Sequence, residues 1–132
     1  MTRDYNNAET INKIKKQLEL DLYDFSVTKS KNSINDCLIF DANKESQFGF
    51  LHETISFSIQ IYKNDRNAEI REITNLKYKV LFIDKEIFNS NENYTLPYDS
   101  YSLYDTLEVY RKTFRQMVHS TLNFLDLKVS IS

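Results

Sequence analysis

The side chains able to do chemistry are few and widely spread along the chain. A metal centre needs His, Cys or carboxylates at short fixed spacing, yet His52 and His119 lie far apart and only Glu53 adjoins either of them. Each histidine therefore reads as a polar strand-edge residue. Ser120 beside His119 resembles a nucleophile with its base, but neighbours point to opposite faces of a strand and diverge by about 100° on a helix. Cys37 sits among Leu38, Ile39 and Phe40, the setting of a small core residue and not of an activated thiolate. Glu69 and Glu72, at i and i+3, would share a helix face and could act as an acid/base pair. Arg66 and Arg71 beside them favour a solvated face of mixed charge. The basic group Arg111, Lys112 and Arg115, interleaved with Tyr110 and Phe114, has the form of a small phosphate or nucleic-acid contact, with a solvated turn as the plainer account. No residue is assigned as catalytic, cofactor-binding or metal-binding on these grounds.

Composition narrows the classes further. A chain of 132 residues with 41% hydrophobic and 14% aromatic content is expected to fold as one domain spanning 1–132. A net charge of -2 is too balanced for a general nucleic-acid or membrane binder. No apolar run approaches the ~20 residues of a membrane helix, and the polar start, Met1 to Asn7, lacks the pattern of a secretory signal, so an unexported protein is expected. One cysteine permits no internal disulfide and no cysteine-based zinc cluster. With Gly49 as the single glycine and Pro97 as the single proline, glycine-built phosphate loops are excluded, and tight turns must rely on Asn and Asp.

These residues must be positioned by a short series of elements. Ile11, Ile14, Leu18 and Leu22 predict an amphipathic helix from Ala8 to Leu22, capped by Asn6 or Asn7. Phe25 to Val27 opens a short strand, and Cys37 to Phe40 is a brief apolar strand between polar loops that reach Asn35 and Gln47. Glu53 to Tyr62 is the clearest strand, because Ile55, Phe57, Ile59 and Ile61 alternate with polar neighbours. The stripe Ile70, Ile73, Leu76, Val80 and Ile83 predicts a second helix over Asn67 to Phe82, capped by Asn64 or Asp65. Asp84 to Asp99 reads as loop, with Tyr94 to Tyr98 a short extended piece. Residues 100–122 thread equally onto a helix through Leu103, Leu107, Tyr110, Phe114 and Met117 or onto a strand and turn. The alternation of Leu125, Leu127, Val129 and Ile131 gives a terminal strand, and enrichment in Thr, Tyr, Val and Phe tilts the stretch to a long terminal hairpin. The expected class is α+β: a mostly antiparallel sheet packed against two amphipathic helices, with a C-terminal β-hairpin.

That order of elements resembles the phage tail-completion or tail-terminator proteins. Three stretches carry the resemblance. Glu53 to Tyr62 looks like the family's central strand, Asn67 to Thr74 like the helix that follows it, and His119 to Phe124 leading into Leu125 to Ile131 like its last strand. A glycine common after that His is Ser120 here, and the loop before the hairpin has no glycine. The resemblance covers residues 50–132 and the first fifty only by element order.

The resemblance implies a non-enzymatic virion protein without cofactors, assembled in the host cytoplasm. Its copies would form a ring, six-fold by the family pattern, at the head-proximal end of a tail. That ring would cap the tail tube protein and meet the neck or head-completion protein. Genome DNA would pass through the opening, with Arg111, Lys112 or Arg115 near its phosphates but no specific binding. A different class is an α+β binding module, such as an immunity or regulatory protein that holds one partner. A small enzyme with His119 as base is a third.

Overall fold

The computed structural model describes residues 7–33, 36–92, 95–99 and 103–124. The first described element is helix α1 (Ala8–Asp21). Its first turn is closed by Asn7, whose Oδ1 accepts from the backbone N–H of Glu9 at 2.9 Å and of Thr10 at 3.3 Å. Ile14, Leu18 and Leu22 face the core, and full burial of a leucine contributes roughly 1.5–3 kcal/mol.

Strands β1 (Ser26–Lys29), β2 (Cys37–Phe48), β3 (Leu51–Lys63), β4 (Glu69–Phe82) and β5 (Lys85–Glu92) form an antiparallel meander in sequence order. Strand β6 (Leu96–Pro97) pairs with β4 beyond the end of β5, and helix α2 (Leu103–Phe124) follows. The alternation in β3 points Leu51, Ile55, Phe57, Ile59 and Ile61 into a core shared with Leu38, Phe40 and both helices. The opposite face of the sheet carries Ser, Thr, Gln and Lys side chains, as a one-sided antiparallel sheet requires. The α+β class with a mostly antiparallel sheet and two amphipathic helices is the observed architecture.

Four elements differ from the sequence expectation. The stretch Asn67 to Phe82 is the end of a turn and strand β4, not a helix. Its buried residues Ile73, Leu76, Tyr78 and Val80 alternate except for one three-residue step. That step is a β-bulge: between the partner pairs Ser56–Lys77 and Ser58–Thr74, one residue of β3, Phe57, faces two of β4, Asn75 and Leu76. Asn75 takes up the extra residue with φ 55. The bulge turns a period of two into the i, i+3 spacing of a helix. Asn64 caps no helix either. Its Oδ1 accepts from the N–H groups of Arg66 and Ala68, both at 2.9 Å, and so closes the β3–β4 turn.

The stretches expected as loop are strand as well at residues 41–47 and 85–92. Backbone pairing holds them beside apolar neighbours: Asp41 to Gln47 pair with β3, and β5 pairs with β4. The second helix lies at 103–124, in place of the first arm of a C-terminal β-hairpin, and buries Leu103 and Leu107 under the sheet. The alternating run from Leu125 to Ile131 lies outside the described residues.

Candidate functional site

The inward alternation of β3 places a carboxylate in the core. Glu53 shares its face with Leu51 and Ile55 and is 4% exposed. A charge there needs partners, and α2 and β4 supply them. Arg115 grips the carboxylate with two bonds, Nε to Oε2 at 3.1 Å and Nη2 to Oε1 at 2.9 Å. The Tyr78 hydroxyl donates to Oε2. One helical turn before Arg115, the Arg111 Nε lies 3.8 Å from Oε1, and its Nη2 pairs with Glu108 at 3.0 Å. The Arg111 Nε has no hydrogen-bond partner and is shielded from solvent.

Aromatic rings enclose the group. The Arg115 guanidinium stands 4.6 Å over the Phe48 ring, a cation–π contact. Tyr78 stacks on Phe114 at 5.9 Å and meets Phe88 edge-on, and Tyr110 meets Phe114 at 4.6 Å. Burial, reinforced by the hydrogen bond and negative charge of Glu53, pushes the Tyr78 hydroxyl well above its ordinary range. Burial alone would lower the Arg115 pKa, but the hydrogen bond and charge of Glu53 outweigh it and raise it. Both therefore stay protonated at neutral pH. The space beside Arg111 amounts to about 10 Å³, room for no more than about one water. This cluster ties α2 to the sheet.

The residues singled out from sequence fall in different places. Arg111 and Arg115 are not solvated turn residues but helical ones facing inward, whose side chains are 17% and 23% exposed; Lys112 is exposed. His52 faces outward, 3.9 Å from Glu45, and the His119 side chain lies outside the described residues. Ser120 is exposed on α2. Glu69 and Glu72 do not pair, because an i, i+3 step in a strand puts them on opposite faces. Glu69 binds Arg71 at 3.0 Å, and Glu72 accepts from the Tyr62 hydroxyl at 2.6 Å. Cys37 starts β2, half-buried, and burial pushes its thiol up, away from the reactive thiolate. Among the described residues no three His, Cys, Asp or Glu side chains gather as metal ligands. The sequence reading passed over Glu53; the signal that could have found it is its inward position in the most regular alternation in the chain.

Open space lies along one flank of α2. An apolar groove of about 380 Å³ is lined by Leu76, Leu96, Val109, Tyr110 and Phe114, with Glu92 on its wall. Through Leu96 and Thr106 it meets a second hollow of about 280 Å³ walled by Ile73, Pro97 and Leu103. Beside it runs β5, which pairs with β4 on one side and, among the described residues, with nothing on the other. At the far edge β1 covers β2 only from Phe40 to Asn43 and leaves Lys44–Phe48 unpaired on that side among the described residues. The groove offers a dry surface for apolar side chains, and the strand edges offer backbone donors and acceptors. No protein-family model, curated protein or solved structure matches the chain.

Proposed function

We propose that this chain is a non-enzymatic protein-binding module that takes hold of its partner in the groove beside α2 and along the adjoining edge of β5. The observation that carries the reading is a contrast. The buried ionic cluster at Glu53 is enclosed, whereas the largest of the hollows described is apolar, open and next to an unpaired strand edge. Pockets of this kind recognise side chains, and an open strand edge recognises extended backbone. Val109 is 66% exposed, so Val109→Asp changes the groove without disturbing the core. That variant is expected to lose binding of a purified partner by calorimetry while its melting temperature is unchanged. Unchanged affinity would refute the reading.

A second reading takes the partner to be the chain itself. Two open strand edges favour copies joined in a ring, as in the tail-terminator role, where the ring would cap the tail tube and meet the neck. The resemblance behind that role keeps its central strand in β3, but the helix it required at Asn67 to Thr74 is turn and strand. Light scattering and negative-stain images with tail tube protein separate the two. Rings or capped tubes support the terminator; a monomer that ignores tube and neck proteins supports a one-to-one immunity or regulatory module.

A further inference from the structure

The charges that line the open space beside α2 are of one sign. Most of its walls come from the stretch between Glu86 and Tyr110, which holds five carboxylates, Glu86, Glu92, Asp99, Asp105 and Glu108, and no Lys or Arg. All 17 basic side chains lie elsewhere in the chain. Three of the five carboxylates do not act on the groove. Glu108 is paired with Arg111 at 3.0 Å, and Glu86 stands beside Lys85 at the far end of β5. Asp105 and Lys112, seven residues apart on α2, are both exposed on its outer face and offset one another. The other two line the hollows, Glu92 the larger and Asp99 the smaller, and neither lining holds a basic side chain among the described residues. On β4, Lys77 points to the opposite face of the sheet from its neighbour Leu76, and Arg71 is held by Glu69 at 3.0 Å. Glu92 ends β5, half-buried, opposite Leu76 in the ladder, and among the described residues its side chain has no ion pair. A carboxylate set against apolar surface in this way gives up hydration without a cation in exchange.

We infer that the groove takes a basic extended segment of a partner protein, with an apolar side chain in the hollow and a Lys or Arg beside it on Glu92. The inference rests on the reading of the groove as a binding surface and adds the chemistry of its occupant. The open edge of β5 fixes the manner of binding. A segment added there projects alternate side chains over the face that carries Glu92. A cation beside Glu92 and an apolar residue two positions away therefore lie on the same side of the added strand. The cation gains a carboxylate neighbour, and the apolar residue gains Leu96, Val109 and Tyr110. An acidic segment would meet repulsion at Glu92, and a neutral one would leave it unpaired.

Three fluorescein-labelled, end-blocked peptides test it by fluorescence anisotropy. The first is Lys-Thr-Leu-Thr-Leu-Thr-Lys, which presents Lys and Leu on one side of a strand in either direction. The second has Glu in place of Lys, and the third has Ser in place of Leu. The expected result is binding of the first, binding of the second weaker by about tenfold or more, and loss of binding of the third. Glu92→Gln keeps the shape of the wall and is expected to weaken the first peptide about threefold to tenfold. Glu45→Gln, on the opposite face of the sheet, is expected to leave it unchanged. Equal effects of the two substitutions would show attraction to net charge alone and overturn the inference. A Glu peptide that binds as well as the Lys peptide overturns it too, as does failure of all three to bind. If the Glu peptide binds and Val109→Asp abolishes that binding, the basic occupant is wrong and the binding-module reading stands.

Discussion

Replacing Arg115 with methionine would leave Glu53 in the core with its strongest partner gone. Removing one member of a buried ion pair costs roughly 3–5 kcal/mol, mostly through the stranded charge. Two features reduce that figure here. Arg115 keeps 23% of its side chain in solvent, and Arg111, 3.8 Å away, and Tyr78 remain beside the carboxylate. A loss of about 2–3 kcal/mol is expected, equivalent to a fall of roughly 6–15 °C in Tm for a chain of this size. Glu53→Leu alone should cost about 1–3 kcal/mol by leaving the Tyr78 hydroxyl without its acceptor. The double variant Glu53→Leu with Arg115→Met removes charge and countercharge together, so it should be less destabilised than the sum of the two, with a coupling of about 1–3 kcal/mol. Urea unfolding of the four proteins, followed by circular dichroism, measures the cycle. Additive losses, or an Arg115→Met protein within about 0.5 kcal/mol of wild type, would refute the argument that this ion pair fastens α2 to the sheet.

Asn75 at φ 55 should accept Gly with little change, whereas Asn75→Val should cost about 1–2 kcal/mol in chemical unfolding. For Tyr78 the sign follows from its raised pKa: near and above pH 10 the folded protein retains a proton that the unfolded chain loses. Stability should be insensitive to this group below about pH 10 and fall as pH climbs beyond it. Tyr62, donating to Glu72, shifts in the same direction, so Tyr78→Phe should remove part of that decline in melts run from pH 9 to 11. The half-buried Cys37 thiol, raised by burial, should react with a disulfide reagent more slowly than a free thiol at pH 7.5 and catch up on unfolding.

The parts of the fold legible in the sequence are those where one periodicity acts alone. α1 and β3 have uninterrupted patterns, and both stand within a residue or two of where the spacing puts them. β4 was misread because one inserted residue at Asn75 makes a strand's inward positions look helical, and a bulge has no signature in hydrophobic spacing. The later part of β2 and most of β5 are polar because they lie at sheet edges, where pairing holds the strand with few apolar residues, Ile87 and Phe88 in β5 among them. For α2, aromatic and β-branched content favoured strand, while the contacts of the helix with the sheet are remote in sequence: that of Arg115 with Glu53 spans 62 residues. The inward position of Glu53 was a signal that went unused; its partners left none, since nothing local in sequence links them. The groove depends on how α2 lies against β4 and β6, which is a property of packing alone.

Arg111 and Arg115 occupy successive turns of one helix and reach toward the same carboxylate. A displacement of α2 along its own axis by a single turn, about 5.4 Å, would carry one guanidinium into the place of the other. Electrostatics thus supplies two stops of the same sign and cannot by itself say how deeply the helix is seated. That choice falls to Leu103 and Leu107, whose fixed sockets in the core act as the index marks of the pair.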